Sequence, residues 1–198
     1  VEFSENRAIS YGGGAVYVNN ASVAFNSVEF ASNLSKYNGG AVALYAANKA
    51  IFKNVKSDAD SAENDGAFLF ASAGDISVYD SEIKNGVAAG NGGAMAFTNG
   101  SASQVIRTVF EGNSAANGGA IYANTASGNT LVHSSTFIHN TASKGGALTV
   151  AGESTLGLYN TVAKLNSAEY GGVLCISDDG TKADVNALTV SGNTASVA

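Results

Sequence analysis

The chain has 198 residues, of which 45% are hydrophobic and 13% charged, with a formal net charge of −6. That charged fraction is about half of the usual share of about 25%. Because so few lysines and glutamates are available for solvated faces, the composition argues against exposed helices. The negative charge and the lack of a basic run disfavour nucleic acid and anionic membranes as partners. The apolar runs are too short to cross a bilayer, so we expect no membrane insertion by this segment.

Two sequence signals recur in phase along the whole chain. The first is Gly-Gly-Ala or a close variant, repeated every 26 or 27 residues at 13–15, 39–41, 65–67, 92–94, 118–120, 145–147 and 171–173. The second is an apolar residue followed three positions later by Asn. It begins at Phe3, Phe30, Phe110, Phe137 and Val190, with weaker copies at Ser57, Ile83 and Ala163. Two markers with one period predict a solenoid repeat.

Three short strands fit into each period. In chain order, the first strand has the Val1-Glu2-Phe3 pattern, the second follows the glycines, and the third precedes another polar corner, as in Ala24-Phe25-Asn26. The second strand alternates apolar residues with a spacing of two, which indicates one buried face. We predict the following buried pairs there: Val16 and Val18, Val42 and Leu44, Phe68 and Phe70, Met95 and Phe97, Ile121 and Ala123, Leu148 and Val150, Leu174 and Ile176.

The predicted fold is therefore all-β: a right-handed, single-stranded parallel β-helix of about seven to eight coils of 26–27 residues, with three short strands per coil. Residues 1–198 form a single array, which we expect to be a segment of a longer solenoid. Equivalent strands of successive coils pair about 4.8 Å apart, which gives a rod about 34 Å long. Parallel crossovers are almost always right-handed.

The Asn corner has a specific expected role. Asn tolerates left-handed backbone angles, and its amide can hydrogen-bond to its equivalents along the stack. Leucine-rich repeats are the main alternative fold, since their period is 20–29 residues and they also carry an Asn corner. Their Leu-x-x-Leu-x-Leu framework is missing from this chain.

The clearest repeats combine Phe-x-x-Asn with Gly-Gly-Ala and a branched apolar residue. They are Phe30-Ala31-Ser32-Asn33 with Gly39-Gly40-Ala41-Val42, and Phe110-Glu111-Gly112-Asn113 with Gly118-Gly119-Ala120-Ile121. This pattern resembles the repeat of the chlamydial polymorphic outer membrane proteins, and the resemblance extends over the whole chain. It implies a β-helical autotransporter passenger that is displayed on a cell surface and used in adhesion.

The outward positions of the first strand include a pair of carboxylates. Glu2 and Glu29 are expected to lie side by side, as the carboxylates of a glycosidase would. The simpler interpretation, which we favour, is a solvated face on which Lys56 lies between Glu29 and Glu82.

Two acidic loops have the oxygen-rich composition that calcium prefers. They contain Asp58, Asp60, Glu63 and Asp65 in one loop and Asp178-Asp179-Gly180 in the other. However, Asp60 occupies the place of the corner Asn, and Asp-Gly is a turn signal. His133, His139 and Cys175 are interpreted as surface, corner or strand residues. We therefore predict no catalytic, cofactor or metal site.

The third strand is expected to present an outward column that contains several aromatic residues. We predict that it consists of Phe25, Lys53, Tyr79, Ile106, His133, Tyr159 and Val185. Such a stripe either stacks on sugars or binds a protein, or is covered by flanking loops. Glycosylation sequons occur at Asn20, Asn33 and Asn99, no more than chance gives in a chain so rich in Asn, Ser and Thr.

These patterns predict a non-catalytic structural or adhesive β-helix at the cell surface or in the extracellular space, either an adhesin passenger or a fibre segment. The alternative is a polysaccharide-binding or polysaccharide-degrading β-helix enzyme, in which long irregular loops should interrupt the repeat. The expected partner is a protein or glycan on a surface. The array begins with a full first strand and stops at Ala198, where a glycine pair is due. Since open coils expose strand edges, we also expect end-to-end self-association.

Overall fold

The computed structural model describes residues 1–126 and 128–197, which contain strands, turns and bends but no helix. The strands pair in parallel with their equivalents 26 or 27 residues away, as Phe3 pairs with Phe30 and Phe30 with Ser57. About seven coils stack in this way. The predicted all-β parallel solenoid is confirmed.

The three predicted strands form three columns that share one sheet. The first column contains Glu2–Ser4, Glu29–Ala31, Lys56–Asp58, Glu82–Lys84, Val109–Glu111 and Thr136–Ile138, and the ends of Thr155–Lys164 and Lys182–Ser191. The second contains Val16–Asn19, the starts of Val42–Lys53 and Leu69–Tyr79, Met95–Thr98, Ile121–Asn124, Leu148–Ala151 and Leu174–Ile176. The third contains Val23–Asn26, the ends of Val42–Lys53 and Leu69–Tyr79, Ala102–Ile106, Asn129–His133, and the starts of Thr155–Lys164 and Lys182–Ser191.

A fourth column, here called the corner column, follows the Asn position and was not predicted. Its strands form a separate eight-stranded sheet and are Arg7–Ala8, Leu34–Ser35, Ser61–Ala62, Val87–Ala88, Ser114–Asn117, Thr141–Lys144, Ser167–Tyr170 and Thr194–Ala195. The prediction of three strands per coil therefore missed one short strand, because a coil has four. The buried residues of this column are small, such as Ala62 and Ala142, so the sequence shows no apolar alternation there.

The inward positions of the first column form the centre of the core. The rings of Phe3 and Phe30 stack with centroids 5.2 Å apart and planes 11° from parallel. Those of Phe110 and Phe137 stack at 4.9 Å and 6°. Because parallel strands are about 4.8 Å apart, a repeated aromatic residue stacks on its own copy. The apolar member of Phe-x-x-Asn is thus a core residue.

In the third coil, the second strand begins one residue later than the glycine pattern predicts. Gly66 has a φ of 67°, like the first glycine Gly39 at 66°, so Ala67 takes the place of the second glycine. Leu69 consequently pairs with Val42, and both side chains are buried in the core. Phe68 and Phe70 are both buried, as predicted, but they are not the inward pair of this strand: that pair is Leu69 and Ala71, in register with Val42 and Leu44.

The two phenylalanines of this coil have different roles. Phe68 occupies the small-residue position that precedes the strand, and its ring lies 5.6 Å from that of Phe30 and 5.5 Å from that of Phe52. It packs in the coil where Ser57 replaces the phenylalanine of the first column. Phe70 lies outside the core cluster, on the outer face, where the ring of Tyr45 packs against it at 5.4 Å.

Hydrogen bonds along the stack connect the corner asparagines, as predicted. Asn113 Nδ2 donates to Asn140 Oδ1 at 2.9 Å and to the carbonyl of Ile83 at 3.1 Å. The same contacts recur between Asn140 and Asn166. These asparagines are buried, whereas the left-handed angle belongs to the preceding residue. The expectation that Asn itself adopts that angle was wrong at this corner, but it holds at the polar corner that follows the third strand, for Asn54 and Asn160.

A second series of hydrogen bonds lies at the corner between the third and first columns. It is formed by the buried hydroxyls of Ser81, Thr108, Ser135 and Thr161. Ser135 Oγ donates to the carbonyl of His133 at 3.0 Å and accepts the backbone N–H of Thr108 at 3.2 Å. Because Ser and Thr are common throughout the chain, the sequence did not reveal this series.

The different positions of Phe97 and Phe70 lead to a stability prediction. Phe97 is fully buried and aligned with Ala71 on the inner face. Phe97→Ala should therefore lower the free energy of unfolding by about 3–5 kcal/mol. Phe70→Ala should cost less, because its side chain, although buried, packs against Tyr45 on the outer face and not in the core cluster. Urea denaturation of both variants measures the difference, and equal costs would contradict the assignment of faces.

Candidate functional site

The acidic side chains of residues 58–65 contact different partners and do not converge on one point. Asp58 and Asp65 each accept from the side chain of an asparagine in the next coil, at 2.8 and 3.0 Å. Glu63 forms a surface ion pair with Lys36 at 3.2 Å. Asp60 is fully buried. Within residues 1–126 and 128–197, no group of three or more His, Cys, Asp or Glu is placed to hold a metal ion.

Asp60 is a carboxylate built into the asparagine series. Its Oδ1 accepts the backbone N–H and the side-chain amide of Asn33, both at 2.8 Å, and its Oδ2 accepts Ser57 Oγ at 2.7 Å. Burial raises the pKa of Asp60 from 3.8 to about 6, and the hydrogen bonds from Ser57 and Asn33 offset only part of this rise. Ser57 thus supplies a donor to the one carboxylate in this column.

The remaining candidate ligands occupy ordinary structural positions. Asp178 accepts the backbone N–H of Gly152 at 3.0 Å within a turn. His133 Nδ1 lies 2.8 Å from Ser134 Oγ, and His139 has the left-handed angle at an Asn corner. Cys175 lies on a second-column strand in register with Thr149.

The carboxylates of the first column stack in the predicted order. Glu2 is in register with Glu29, Glu29 with Lys56, and Lys56 with Glu82. Glu82 forms its ion pair with Lys84, at 2.6 Å. Glu2 and Glu29 therefore lie side by side on an open surface.

The outward column of the third strand differs from the prediction at both ends. Tyr79, Ile106, His133 and Tyr159 are in register. Phe25 pairs with Phe52 on the inner face, and Val185 pairs with Leu158, so neither belongs to this column. Asn26 and Asn186 take their places. The column is exposed or half-buried, so flanking loops do not cover it.

A depression lies beside this column, on the outer face of the third-column strands. Its volume is about 540 Å³. Ser77 and Ala102 supply short side chains there, while Ile51, Tyr79 and Leu131 supply longer ones. Polar lining comes from Gln104, Asn129, Lys49 and Asp75. We name this depression, with the neighbouring Tyr159, the third-column groove.

Tyr159 extends the groove by one coil. Gly157 follows Leu131 in the column that lines the depression. A Cβ atom on Gly157 would lie 2.8 Å from Cε2 of Tyr159, so the ring lies across the glycine. The Tyr159 hydroxyl donates to Asp184 Oδ2 at 2.7 Å, and this hydrogen bond raises the pKa of Tyr159. The ring is therefore held against the sheet with a partly exposed face.

The sequons lie in two different environments. Asn20 and Asn99 are exposed, each with a left-handed φ in a turn. Asn33 is fully buried, and its side chain donates to Asp60 and to the carbonyl of Phe3. The folded chain therefore has no room for a glycan on Asn33.

Comparison with known families identifies the repeat in two segments. Residues 1–19 and 107–124 match the Chlamydia polymorphic membrane protein repeat. Two segments of the chain carry this repeat. In both segments, a corner-column strand separates Phe-x-x-Asn from Gly-Gly-Ala. The polymorphic membrane protein repeat therefore includes a first-column strand, the Asn corner and the glycine turn. Neither the curated proteins nor the solved structures contain a match to the chain.

The family takes its name from membrane proteins, but the described residues of this segment contain no helix that is long and apolar enough to span a bilayer. Association with the outer membrane or cell surface is a property of the Chlamydia polymorphic membrane protein family.

The buried carboxylate leads to a pH-dependent prediction. The pKa of Asp60 is higher in the folded chain than its ordinary value of 3.8. The favourable contribution of protonated Asp60 to the free energy of unfolding is therefore present below about pH 4 and is lost as the pH rises through about 6. At neutral pH none of this contribution remains. Asp60→Asn should stabilise the protein at pH 7 by at most about 3 kcal/mol and progressively less towards pH 4.

Urea denaturation of both proteins between pH 4 and pH 7.5 measures this difference. Glu169→Gln, which changes an exposed carboxylate of a distant coil, controls for the altered formal charge. A stability difference between Asp60→Asn and the original chain that stays constant over this pH range would contradict the assignment.

Proposed function

We propose that this chain is a non-catalytic β-solenoid rod that acts in adhesion at the cell surface. The observation that carries the proposal is the polymorphic membrane protein repeat at residues 1–19 and 107–124, within a regular stack of parallel coils. In this architecture the inward side chains and the two corner series maintain the fold. The outward side chains are then available for contacts with a partner.

The regularity of the coils supports a non-catalytic role. A polysaccharide-degrading β-helix needs a site at which groups of suitable chemistry converge, usually on extended loops. Here adjacent coils differ by at most one residue in length. The feature that favours the enzyme alternative is the pair of Glu2 and Glu29, because retaining glycosidases place two carboxyl groups about 5–5.5 Å apart.

A cell-binding assay tests the proposed adhesion. Beads coated with the folded polypeptide should bind cultured mammalian cells saturably. Soluble folded polypeptide should compete for this binding, whereas the same polypeptide after heat denaturation should not. Binding that is equal for folded and denatured coats, or absent for both, would contradict the proposal. Release of reducing sugar from a polysaccharide, lost in Glu29→Gln, would support the enzyme alternative instead.

We also propose that the isolated polypeptide associates end to end. The strands Arg7–Ala8 and Thr194–Ala195 are the two edges of the corner sheet, each paired on one side only. Such edges pair readily with other chains. Light scattering should show a mean mass that rises with protein concentration. A monomeric mass at every concentration would contradict end-to-end association.

A further inference from the structure

The third-column groove combines features that suit one class of ligand. Its lining includes apolar and aromatic groups from Ile51, Tyr79 and Leu131, and uncharged hydrogen-bonding groups from Ser77 and Gln104. The two charged residues, Lys49 and Asp75, have opposite signs and are in register on adjacent strands. The lining of the depression is therefore close to neutral, although the whole chain carries a net charge of −6. The neighbouring carboxylate, Asp184, is bound to the Tyr159 hydroxyl.

We propose that the third-column groove binds a neutral, extended glycan that lies along the solenoid axis. This inference rests on the proposed adhesive function and identifies the chemistry of its ligand. Sugar rings have apolar C–H faces that pack on aromatic side chains and hydroxyls that need uncharged donors and acceptors. Tyr159 and Tyr79 provide the aromatic surfaces, and Ser77, Gln104 and Asn129 provide the polar groups.

The backbone of the groove excludes one common mode of protein recognition. Each strand beneath it is hydrogen-bonded on both sides, as Ala102–Ile106 is to the end of Leu69–Tyr79 and to Asn129–His133. A peptide therefore cannot bind here by adding a strand, because no unpaired strand edge is available. Recognition must use side chains alone.

The axial direction follows from the spacing of the lining residues. Residues 51, 77, 104, 131 and 157 form one column, with one position per coil. Successive positions are about 4.8 Å apart. Beyond position 157 the column continues at Asp184, whose carboxylate accepts the Tyr159 hydroxyl. A linear chain of sugars placed along the column therefore meets a new set of side chains at every coil. An extended oligosaccharide fits this geometry better than a single compact sugar.

Three variants test the groove while leaving the core intact. Tyr159→Ala removes the aromatic surface over Gly157, and Ser77→Arg fills the depression with a charged side chain. Tyr170→Ala is the matched control, because Tyr170 is 48% exposed and lies on the corner column. Circular dichroism melting establishes that each variant is folded.

The wild-type polypeptide is first screened on an array of neutral tetra- to hexasaccharides, printed beside sialylated and sulfated glycans. The best neutral oligosaccharide is then titrated by calorimetry. We expect Tyr159→Ala to weaken binding about tenfold. Ser77→Arg should abolish binding, and Tyr170→Ala should leave it unchanged.

The same variants in the bead assay separate this inference from the proposed function. If wild-type beads bind cells but no neutral glycan is bound, the glycan groove is overturned and the adhesive role remains. Binding restricted to acidic glycans, or cell binding that is lost in Ser77→Arg but survives enzymatic removal of cell-surface glycans, also overturns it. If neutral glycans are bound and lost in the groove variants while wild-type beads fail to bind cells, the groove stands and the proposed adhesion fails.

Discussion

Every side chain in this solenoid must be compatible with the side chain of the next coil, about 4.8 Å away along the axis. This constraint selects residues that pack well on copies of themselves. Phenylalanine meets it through parallel ring stacking, as Phe110 and Phe137 do at 4.9 Å. Asparagine meets it because one amide carries both a donor and an acceptor, so that Asn113 donates to Asn140 while its own Oδ1 accepts the backbone N–H of Gly86. The two sequence signals of the repeat are direct consequences.

The third coil shows what happens when the constraint is relaxed. Ser57 occupies the phenylalanine position of the first column, so the ring stack is interrupted there. Phe68 packs against the rings of Phe30 and Phe52 in this region. Asp60 replaces the corner asparagine and takes an added hydrogen bond from Ser57 Oγ at 2.7 Å.

The Asn corner of the next coil also departs from the repeat. Ala67 replaces the second glycine, and the corner position above it is Gly86. A Cβ on Gly86 would lie 3.2 Å from the Cβ of Ala67 and 2.3 Å from the carbonyl oxygen of Gly93. A side chain is therefore excluded from this corner, and the asparagine series is interrupted there.

The sequence was sufficient to predict the period, the parallel stacking and the phenylalanine core, because these depend on residues that recur in most coils. Prediction from the sequence failed where a coil departs from the repeat, and where the residues of a column show no recurring pattern. The glycine pattern misplaced Phe70 by one position, since Asp65-Gly66-Ala67 resembles the glycine signal but is shifted by one residue. The buried residues of the corner column are small and show no apolar alternation, so the column was missed.

The candidate site shows the same limits. Tyr79 and Tyr159 were predicted to face outward, and they do. Phe25 and Val185 were assigned to the same column, but the residues in register there are their neighbours Asn26 and Asn186. The depression itself depends on Ser77 and Ala102, whose short side chains carry no sequence signal. The orientation of the Tyr159 ring depends on Gly157 and on Asp184 in the following coil. The contacts of Tyr159 with Gly157 and Asp184 cannot be predicted from the sequence before the register of the strands is known.

The axial register is the claim on which the core, the corners and the groove all depend, and pulsed dipolar spectroscopy of spin-label pairs measures it. In a Cys175→Ser background, labels at Glu29 and Thr136 are separated by four coil steps, and labels at Glu29 and Thr189 by six. This register predicts that the second distance exceeds the first by about 10 Å, in keeping with about 4.8 Å per coil. Equal distances, or a difference unrelated to the number of coils, would contradict it.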